Sequence, residues 1–187
     1  MDRKKLVDCF KDTITFSNNF LSKETTESIN SNLVYPEDFL STKNDKVTDS
    51  GSVVVIEDSS FNAARQFSEM GKVAVLNFAN PVEPGGGVSR GAMAQEECLC
   101  RSSNLYLCID SDNVRESFYQ AHKDENNGLA SDRLIYTKNI CVFKDDQAIP
   151  EMLDKDKWIN VDIITCAAPY RPALKSIKNE ELKSIFK

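Results

Sequence analysis

Two short runs in this chain carry residue types that can hold and act on an anionic ligand. Gly85-Gly86-Gly87 follows Pro81 and Pro84, and seven residues further on comes Gln95-Glu96-Glu97. Glycine lets backbone approach a ligand closely and presents its N–H groups to an anion. The apolar run Val73–Phe78 just before the loop reads as a buried strand, and ligands sit beyond the carboxyl ends of parallel strands. The residues after Gly91 read as a helix, whose N-terminus carries partial positive charge. Gln95, Glu96 and Glu97 fall near that N-terminus and face the same mouth. A tight turn followed by a solvated acidic first turn uses the same residue types for structural reasons alone, so the local spacing leaves both readings open.

The elements that must position these runs read as an α/β chain. Val53-Val54-Val55-Ile56 is a continuous β-branched run, the pattern of a strand buried on both faces. Ser59 or Ser60 can cap the following helix and Gly71 can end it, with Ala63, Phe67 and Met70 on one apolar face. The run Val73–Phe78 is the next strand, so strand, helix and strand predict a βαβ unit and a parallel pairing. A Gly/Pro loop spans Ala79 to Gly91. Helices are predicted over Ala92–Leu107, with Ala94, Cys98 and Leu105 on one stripe, and over Asn113–His122. Asn126-Asn127-Gly128 reads as a turn, Leu134–Thr137 and Ile140–Phe143 as short strand-like pieces, and Val161–Cys166 as a third buried strand stopped by Pro169. At the ends, helices are predicted over Lys4–Phe10, Thr25–Leu33 and Ala173–Lys187, and Pro36 with the polar run 41–52 reads as loop.

Composition bounds the function. At 187 residues the chain has a single-domain length. Its 41% hydrophobic and 28% charged content is that of a globular protein and excludes a disordered chain, a collagen-like chain and a bundle of membrane spans. With 23 basic against 29 acidic residues the net charge is −6, which argues against a protein that coats DNA. It leaves room for an anion held in one local pocket. The charged start Met1–Lys5 lacks the apolar core of a signal peptide, and no stretch reaches the ~18 apolar residues of a spanning helix, so no membrane role is expected. Cys98, Cys100 and Cys108 crowd one segment, while Cys9, Cys141 and Cys166 lie in apolar contexts. All six are expected as reduced thiols of a cytoplasmic protein, or a nuclear one if the source is eukaryotic. Cys98-Leu99-Cys100 lacks zinc-ligand spacing and His122 is the lone histidine, so no metal and no cofactor are expected. His122 reads as a solvated residue at a helix end, Trp158 as core or hinge packing, and Lys155-Asp156-Lys157 as surface.

The glycine run, the seven-residue gap and Gln95-Glu96-Glu97 together resemble the signature of poly(ADP-ribose) glycohydrolases. The resemblance extends through Asn77-Phe78-Ala79-Asn80, Gly91-Ala92, Arg101-Ser102-Ser103 and Leu105-Tyr106. It continues through Leu134-Ile135-Tyr136, Val142–Asp146 and Ile164–Pro169, all like the microbial branch of that family. It implies a macrodomain-like α/β fold: a three-layer α/β/α arrangement with a mostly parallel central sheet. Residues 1–50 would form an N-terminal, mainly helical extension and residues 51–187 the catalytic domain.

The activity implied is hydrolysis of ribose–ribose O-glycosidic bonds in poly(ADP-ribose), releasing ADP-ribose. Glu97 matches the catalytic glutamate, the general acid and then base, and Glu96 matches the neighbour that binds ribose hydroxyls. Adjacent helical residues lie ~100° apart and do not face each other, so an opposed carboxylate pair is not expected. The resemblance gives substrate-binding roles to Asn80, Gly85, Gly86, Gly87, Val88, Gln95 and Asp58, the last near adenine. Arg90 and Arg101 can steer phosphates, although a structural role suits Arg101 equally well. ADP-ribose, its polymer and ADP-ribosylated proteins are the partners implied. Two departures stand out: Tyr170 takes the place of the usual asparagine after Ala168-Pro169, and the family's second glycine-rich phosphate loop has no counterpart. The catalytic domain is therefore expected to be incomplete at its C-terminal end. The alternative is a non-catalytic ADP-ribose-binding module or an inactive fragment of such an enzyme.

Overall fold

The structure is a computed structural model that describes residues 2–37, 51–125 and 130–167. The chain opens with a long helix, α1 (Arg3–Phe20). Asp2 caps it by accepting from Lys4 N–H at 2.9 Å. Leu6, Phe10, Thr13 and Ser17 form its buried stripe, at the spacing that keeps one helical face inward. Helix α2 (Ser22–Asn30) and strand β1 (Leu33–Tyr35) follow. Then come α3 (Ser60–Ser68), β2 (Ala74–Ala79), α4 (Gln95–Ser102) and α5 (Leu105–Ile109). A helical stretch joins α6 (Asp112–Val114) and α7 (Ala121–Glu125) through a π-helical turn at Arg115–Gln120. The last elements are β3 (Leu134–Val142) and β4 (Ile159–Ala167).

The four strands form one sheet in the order β1-β3-β4-β2. Only β2 and β4 pair in parallel; β1–β3 and β3–β4 are antiparallel. The mostly parallel sheet expected from the sequence therefore does not form among the described residues. The reason lies in the connections. The connection between β3 and β4, residues 143–158, carries a 3-10 turn at Lys155–Lys157 and no α-helix, whereas a parallel crossover usually runs through a helix. The two short pieces read around residues 134–143 are one strand, with an irregularity between Thr137 and Ile140 and Asn139 at φ +55°.

Val53–Ile56, expected as a buried strand, is irregular and exposed; Val53 is 92% and Val55 93% accessible. A β-branched run is competent for a strand, yet it needs an open edge to pair with. On the outer edge of β2 the Gln95 side-chain amide stands where a neighbouring peptide would. It accepts from Phe78 N–H at 2.9 Å and donates to the Leu76 carbonyl at 2.6 Å.

The core packs on one face of the sheet. Val75, Ala79, Val161, Ile163, Ile135, Ile140 and Val142 meet Phe10, Phe61, Leu99, Leu105 and Phe118, all buried. The two N-terminal helices share this molecule's packing: Phe10 sits in the main cluster, and Leu21 with Phe16 packs on Phe143 and Trp158. Helix α3 buries Phe61 and Ala64 and leaves Phe67 exposed, a rotation of the predicted face, and Met70 lies exposed beyond its end. The helix predicted over Ala92–Leu107 breaks at Ser103–Asn104. There the Asn104 side chain accepts from Cys141 N–H at 2.9 Å and Ser103 bridges to Val142. Such side chains compete with helical backbone bonds.

The opposite sheet face carries Leu76, Phe78, Ile164, Leu134 and Tyr136, half-buried or exposed, so a full three-layer arrangement is not seen among the described residues. No described helix is long and apolar enough to cross a membrane. Tyr170, Pro169, the predicted turn at 126–128, most of the polar run 41–52 and the predicted helix 173–187 lie outside the described residues.

Gly91 shows how closely α1 is fitted. It has φ +73°, and a β-carbon there would stand 2.7 Å from the Arg3 carbonyl oxygen. Gly91→Ala is expected to cost about 1–3 kcal/mol through the positive φ and the backbone clash. The measurement is urea unfolding, with a lower midpoint at unchanged slope.

Candidate active site

The loop after β2 is built by local hydrogen bonding. Asn80 Oδ1 accepts from Val82 N–H at 2.8 Å and Glu83 N–H at 3.0 Å, which turns the chain directly after the strand. Gly86 N–H donates to the Glu83 carbonyl and Val88 N–H to that of Gly85. Gly85 and Gly86 take φ +64° and +56°, values that favour glycine. Under the loop the Tyr106 ring would lie 2.8 Å from a β-carbon on Gly85. That ring is packed edge-on by Phe10 at 4.9 Å, so α1 and α5 together form the floor. Val88 is buried beneath the glycines rather than open to the cleft.

Helix α4 meets this loop with its first turn. Glu96 and Glu97 are only 3% and 6% exposed, unusual for carboxylates. Each is held by a backbone donor of the loop. Glu96 Oε2 accepts from Asn80 N–H at 2.8 Å, and Glu97 Oε1 from Gly87 N–H at 2.8 Å. The second oxygen of each, Glu96 Oε1 and Glu97 Oε2, is buried without a partner among the described residues. A β-carbon on Gly86 would lie 2.6 Å from Glu97 Oε1 and 3.1 Å from Glu96 Oε2, so both acids close on this one residue. The ~100° between neighbouring helical positions sends Glu96 to the strand end and Glu97 to the glycine turn.

Burial pushes the Glu96 carboxyl up to about 7, and the nearby Glu97 charge adds to this. The donor from Asn80 pulls the other way. Desolvation thus outweighs the helix N-terminus, which favours the ionised form.

The other predicted residues are placed differently. Gln95 is engaged on the strand edge, and its Nε2 also donates to Ser60 Oγ at 3.1 Å. Asp58 accepts from Ser59 N–H and from Gln66 Nε2, both at 2.8 Å. Asp58, Ser60, Gln95 and Asp146 line a cavity of about 370 Å³. Arg90 makes a two-pronged ion pair with Glu83, at 2.6 and 2.8 Å. Arg101 is fully buried and structural: its Nη1 donates to the Ala92 carbonyl at 2.7 Å, and its own carbonyl accepts from Thr13 Oγ1 at 2.6 Å. It fixes the approach to α4 and joins it to α1. His122, expected to be solvated, is completely buried against the Phe118 ring. Its Nδ1 is 2.8 Å from the Phe118 carbonyl, and its Nε2 accepts from Ser131 N–H at 3.2 Å. A continuous helix through the π-turn carries it inward.

Tyr106 and Asn77 lie at the site but were given no role of their own in the sequence, although both stand in runs that resemble the family. An amide at the centre of the apolar run Val73–Phe78 was the available signal for Asn77. For Tyr106 the signal was its place in the run Leu105-Tyr106, set against the fact that an aromatic in a helix is usually core. Among the described residues no three His, Cys, Asp or Glu side chains converge as metal ligands.

The raised Glu96 carboxyl has a consequence for stability. Its folded value exceeds that of an unfolded glutamate, so the folded chain binds more protons between about pH 4.5 and 7. Stability therefore falls as pH rises through that window, and the loss is complete above it. Glu96→Gln is expected to flatten this dependence and to gain up to about 3 kcal/mol at pH 8. Chemical unfolding of both proteins at pH 5 and pH 8 measures it.

Comparison with curated protein sequences finds no match. Among solved structures, poly(ADP-ribose) glycohydrolase from Thermomonospora curvata, bound to the inhibitor ADP-HPD, superposes with a TM-score of 0.76 at 26% identity. The match covers 96% of this chain and 69% of that one. The enzyme from Deinococcus radiodurans in complex with ADP-ribose gives 0.73 at 28% identity, covering 87% and 65%. A second crystal form of the latter gives 36% identity over 68% of this chain and 49% of that one, with a TM-score of 0.59. A sequence profile described as microbial-type PARG, catalytic domain, matches residues 11–145, a span that contains the glycine loop, both buried glutamates and the strand that presents them, and the chain belongs to that family.

Proposed function

We propose that the chain hydrolyses ribose–ribose O-glycosidic bonds of poly(ADP-ribose) and releases ADP-ribose. The observation that carries the reading is the pair of buried α4 carboxylates. Each is tied by one oxygen to the backbone of the glycine loop, and each has a second oxygen unpartnered among the described residues.

The division of labour follows from position. Glu97 lies against the glycine turn and acts as general acid. Its proton passes to the ribose oxygen that leaves as the glycosidic C–O bond breaks and oxocarbenium character develops. The resulting carboxylate then takes a proton from the water that attacks the anomeric carbon, which restores Glu97. Glu96 accepts from ribose hydroxyls and keeps a proton available near neutral pH beside Glu97. The N-terminus of α4 holds the diphosphate without a positive net charge on the protein. Asn80 Oδ1 is committed to the loop, so Asn80 offers a ligand its Nδ2. Asp58 and the cavity it shares with Gln95 suit the adenine end. ADP-ribosylated proteins are the macromolecular substrates this chemistry serves.

Glu97→Gln keeps size and removes the transferable proton. Its release of ADP-ribose from the polymer is expected to fall by roughly 10²–10⁴-fold, with binding of free ADP-ribose by calorimetry largely kept. A folded parent chain that binds ADP-ribose and releases none from the polymer would instead make this a binding module. A deeper loss in Glu96→Gln than in Glu97→Gln would exchange the two roles.

A further inference from the structure

The cavity of about 370 Å³ that Asp58 and Gln95 share is lined from three segments: the N-terminus of α3, the start of α4 and the chain just after β3. Its size is that of a small-ligand cleft. Buried Leu99 and half-exposed Met93 give it apolar wall. Its polar groups differ in how far they are already engaged. The Gln95 amide is taken up by the edge of β2 and by Ser60 Oγ. Each Asp58 oxygen accepts one donor, from Ser59 N–H and from Gln66 Nε2. Two groups are left. Ser59, directly before α3, makes no side-chain cap, and its hydroxyl oxygen is buried without a hydrogen-bond partner among the described residues. Asp146 makes no hydrogen bond or ion pair among the described residues.

The chain around Asp146 is nevertheless held. Ser102 Oγ, at the end of α4, donates to the Asp145 carbonyl at 3.0 Å, and Gln147 N–H donates to Asp145 Oδ1 at 3.2 Å. Arg65 of α3 grips the Lys144 carbonyl at 2.7 Å. An acceptor fixed in advance loses little freedom when it binds. Two carboxylates on one cavity disfavour an anionic group, so the cavity suits the uncharged end of a ligand, and one that offers a donor. In ADP-ribose that end is adenine. Its 6-amino group is the only N–H donor of the molecule, with ring-nitrogen acceptors beside it.

We infer that Asp146 and Ser59 read the base: the Asp146 carboxylate accepts from the 6-amino group, and the Ser59 hydroxyl donates to a neighbouring ring nitrogen. They determine specificity and take no part in breaking the glycosidic bond. Gln95 and Asp58 shape the cavity around them. Gln95 directly precedes Glu96, so base and ribose flank the same helix start. The inference rests on the reading that this cavity takes the adenine end of ADP-ribose.

The test is calorimetric binding of two ligands: ADP-ribose, and the same molecule with purine in place of adenine, which lacks the amino group. The parent is expected to prefer ADP-ribose by roughly 10- to 100-fold, the range of a hydrogen bond to a charged group. Asp146→Ala is expected to weaken ADP-ribose by that factor and to leave the purine ligand within about twofold, so that the preference disappears. Asp146→Asn keeps a neutral acceptor and is expected to retain part of it. Ser59→Ala is expected to weaken both ligands alike, by roughly 2- to 10-fold, because both carry the ring nitrogens. Equal weakening of the two ligands in Asp146→Ala is what a merely structural role produces, and it overturns the inference. So does a parent without preference, or a preference that survives in Asp146→Ala and vanishes in Asp58→Asn. A parent that shows the expected binding pattern and releases no ADP-ribose from the polymer fails the functional reading alone. A parent that binds neither ligand overturns both.

Discussion

The arrangement depends on two backbone N–H groups. Asn80 N–H holds Glu96 and Gly87 N–H holds Glu97. Through these bonds the first turn of α4 is locked to the end of β2 and to the glycine turn. Two carboxylates at 3% and 6% exposure would destabilise a core that left them without donors. Here the loop supplies donors, and the loop in turn takes its shape around the acids. Gly86 has no room for a β-carbon because both carboxyls converge on it. Loop and helix therefore form one device, and neither keeps its conformation alone.

Holding that device in place falls to residues that touch no ligand. Gln95, directly before the glutamates, grips the outer edge of β2 with its side-chain amide. This fixes the start of α4 against the strand that ends in the loop, and it also closes an edge that would otherwise offer unpaired peptide groups. Arg101, one helical turn after Glu97, reaches back to the Ala92 carbonyl at the approach to α4 and receives Thr13 of α1 on its own carbonyl. Tyr106, backed by Phe10, supports Gly85 from below. Helix α1 is thus part of the site's foundation, and its fit against Gly91 belongs to the same construction.

The electrostatics follow from that packing. The helix N-terminus and the loop donors favour carboxylate, yet burial dominates at Glu96 and raises it to about 7. A glutamate that retains a proton near neutrality is what glycosidic cleavage asks of its neighbourhood. The cost is stability lost as pH rises. A surface acid in a first helical turn would have the opposite sign, and only enclosure by the glycine loop separates the two cases.

Residue type and spacing made the frame of the site legible: a strand, a glycine turn and a helix opening on Gln95-Glu96-Glu97 are readable because each uses residues with few alternatives, while the chemistry itself came from the resemblance to the family. The strand cores at Val73–Phe78 and Val161–Cys166 were legible for the same reason, since continuous apolar runs have few other places to go. What the sequence left open was decided by partners distant in the chain. Val53–Ile56 has every local mark of a strand and forms none, because pairing requires a free edge and Gln95 occupies it. The β3–β4 pairing is antiparallel because the 143–158 connection returns the chain without a crossover helix, a fact of path rather than of composition. His122 looked solvated until the π-turn carried it inward, and Arg101, open to a phosphate-steering or a structural role, became structural once α1 closed over it. The burial that raises Glu96 exists only once β2, β4 and α4 meet. Burial and hydrogen-bond complementarity are properties of that assembly, and no local pattern encodes them.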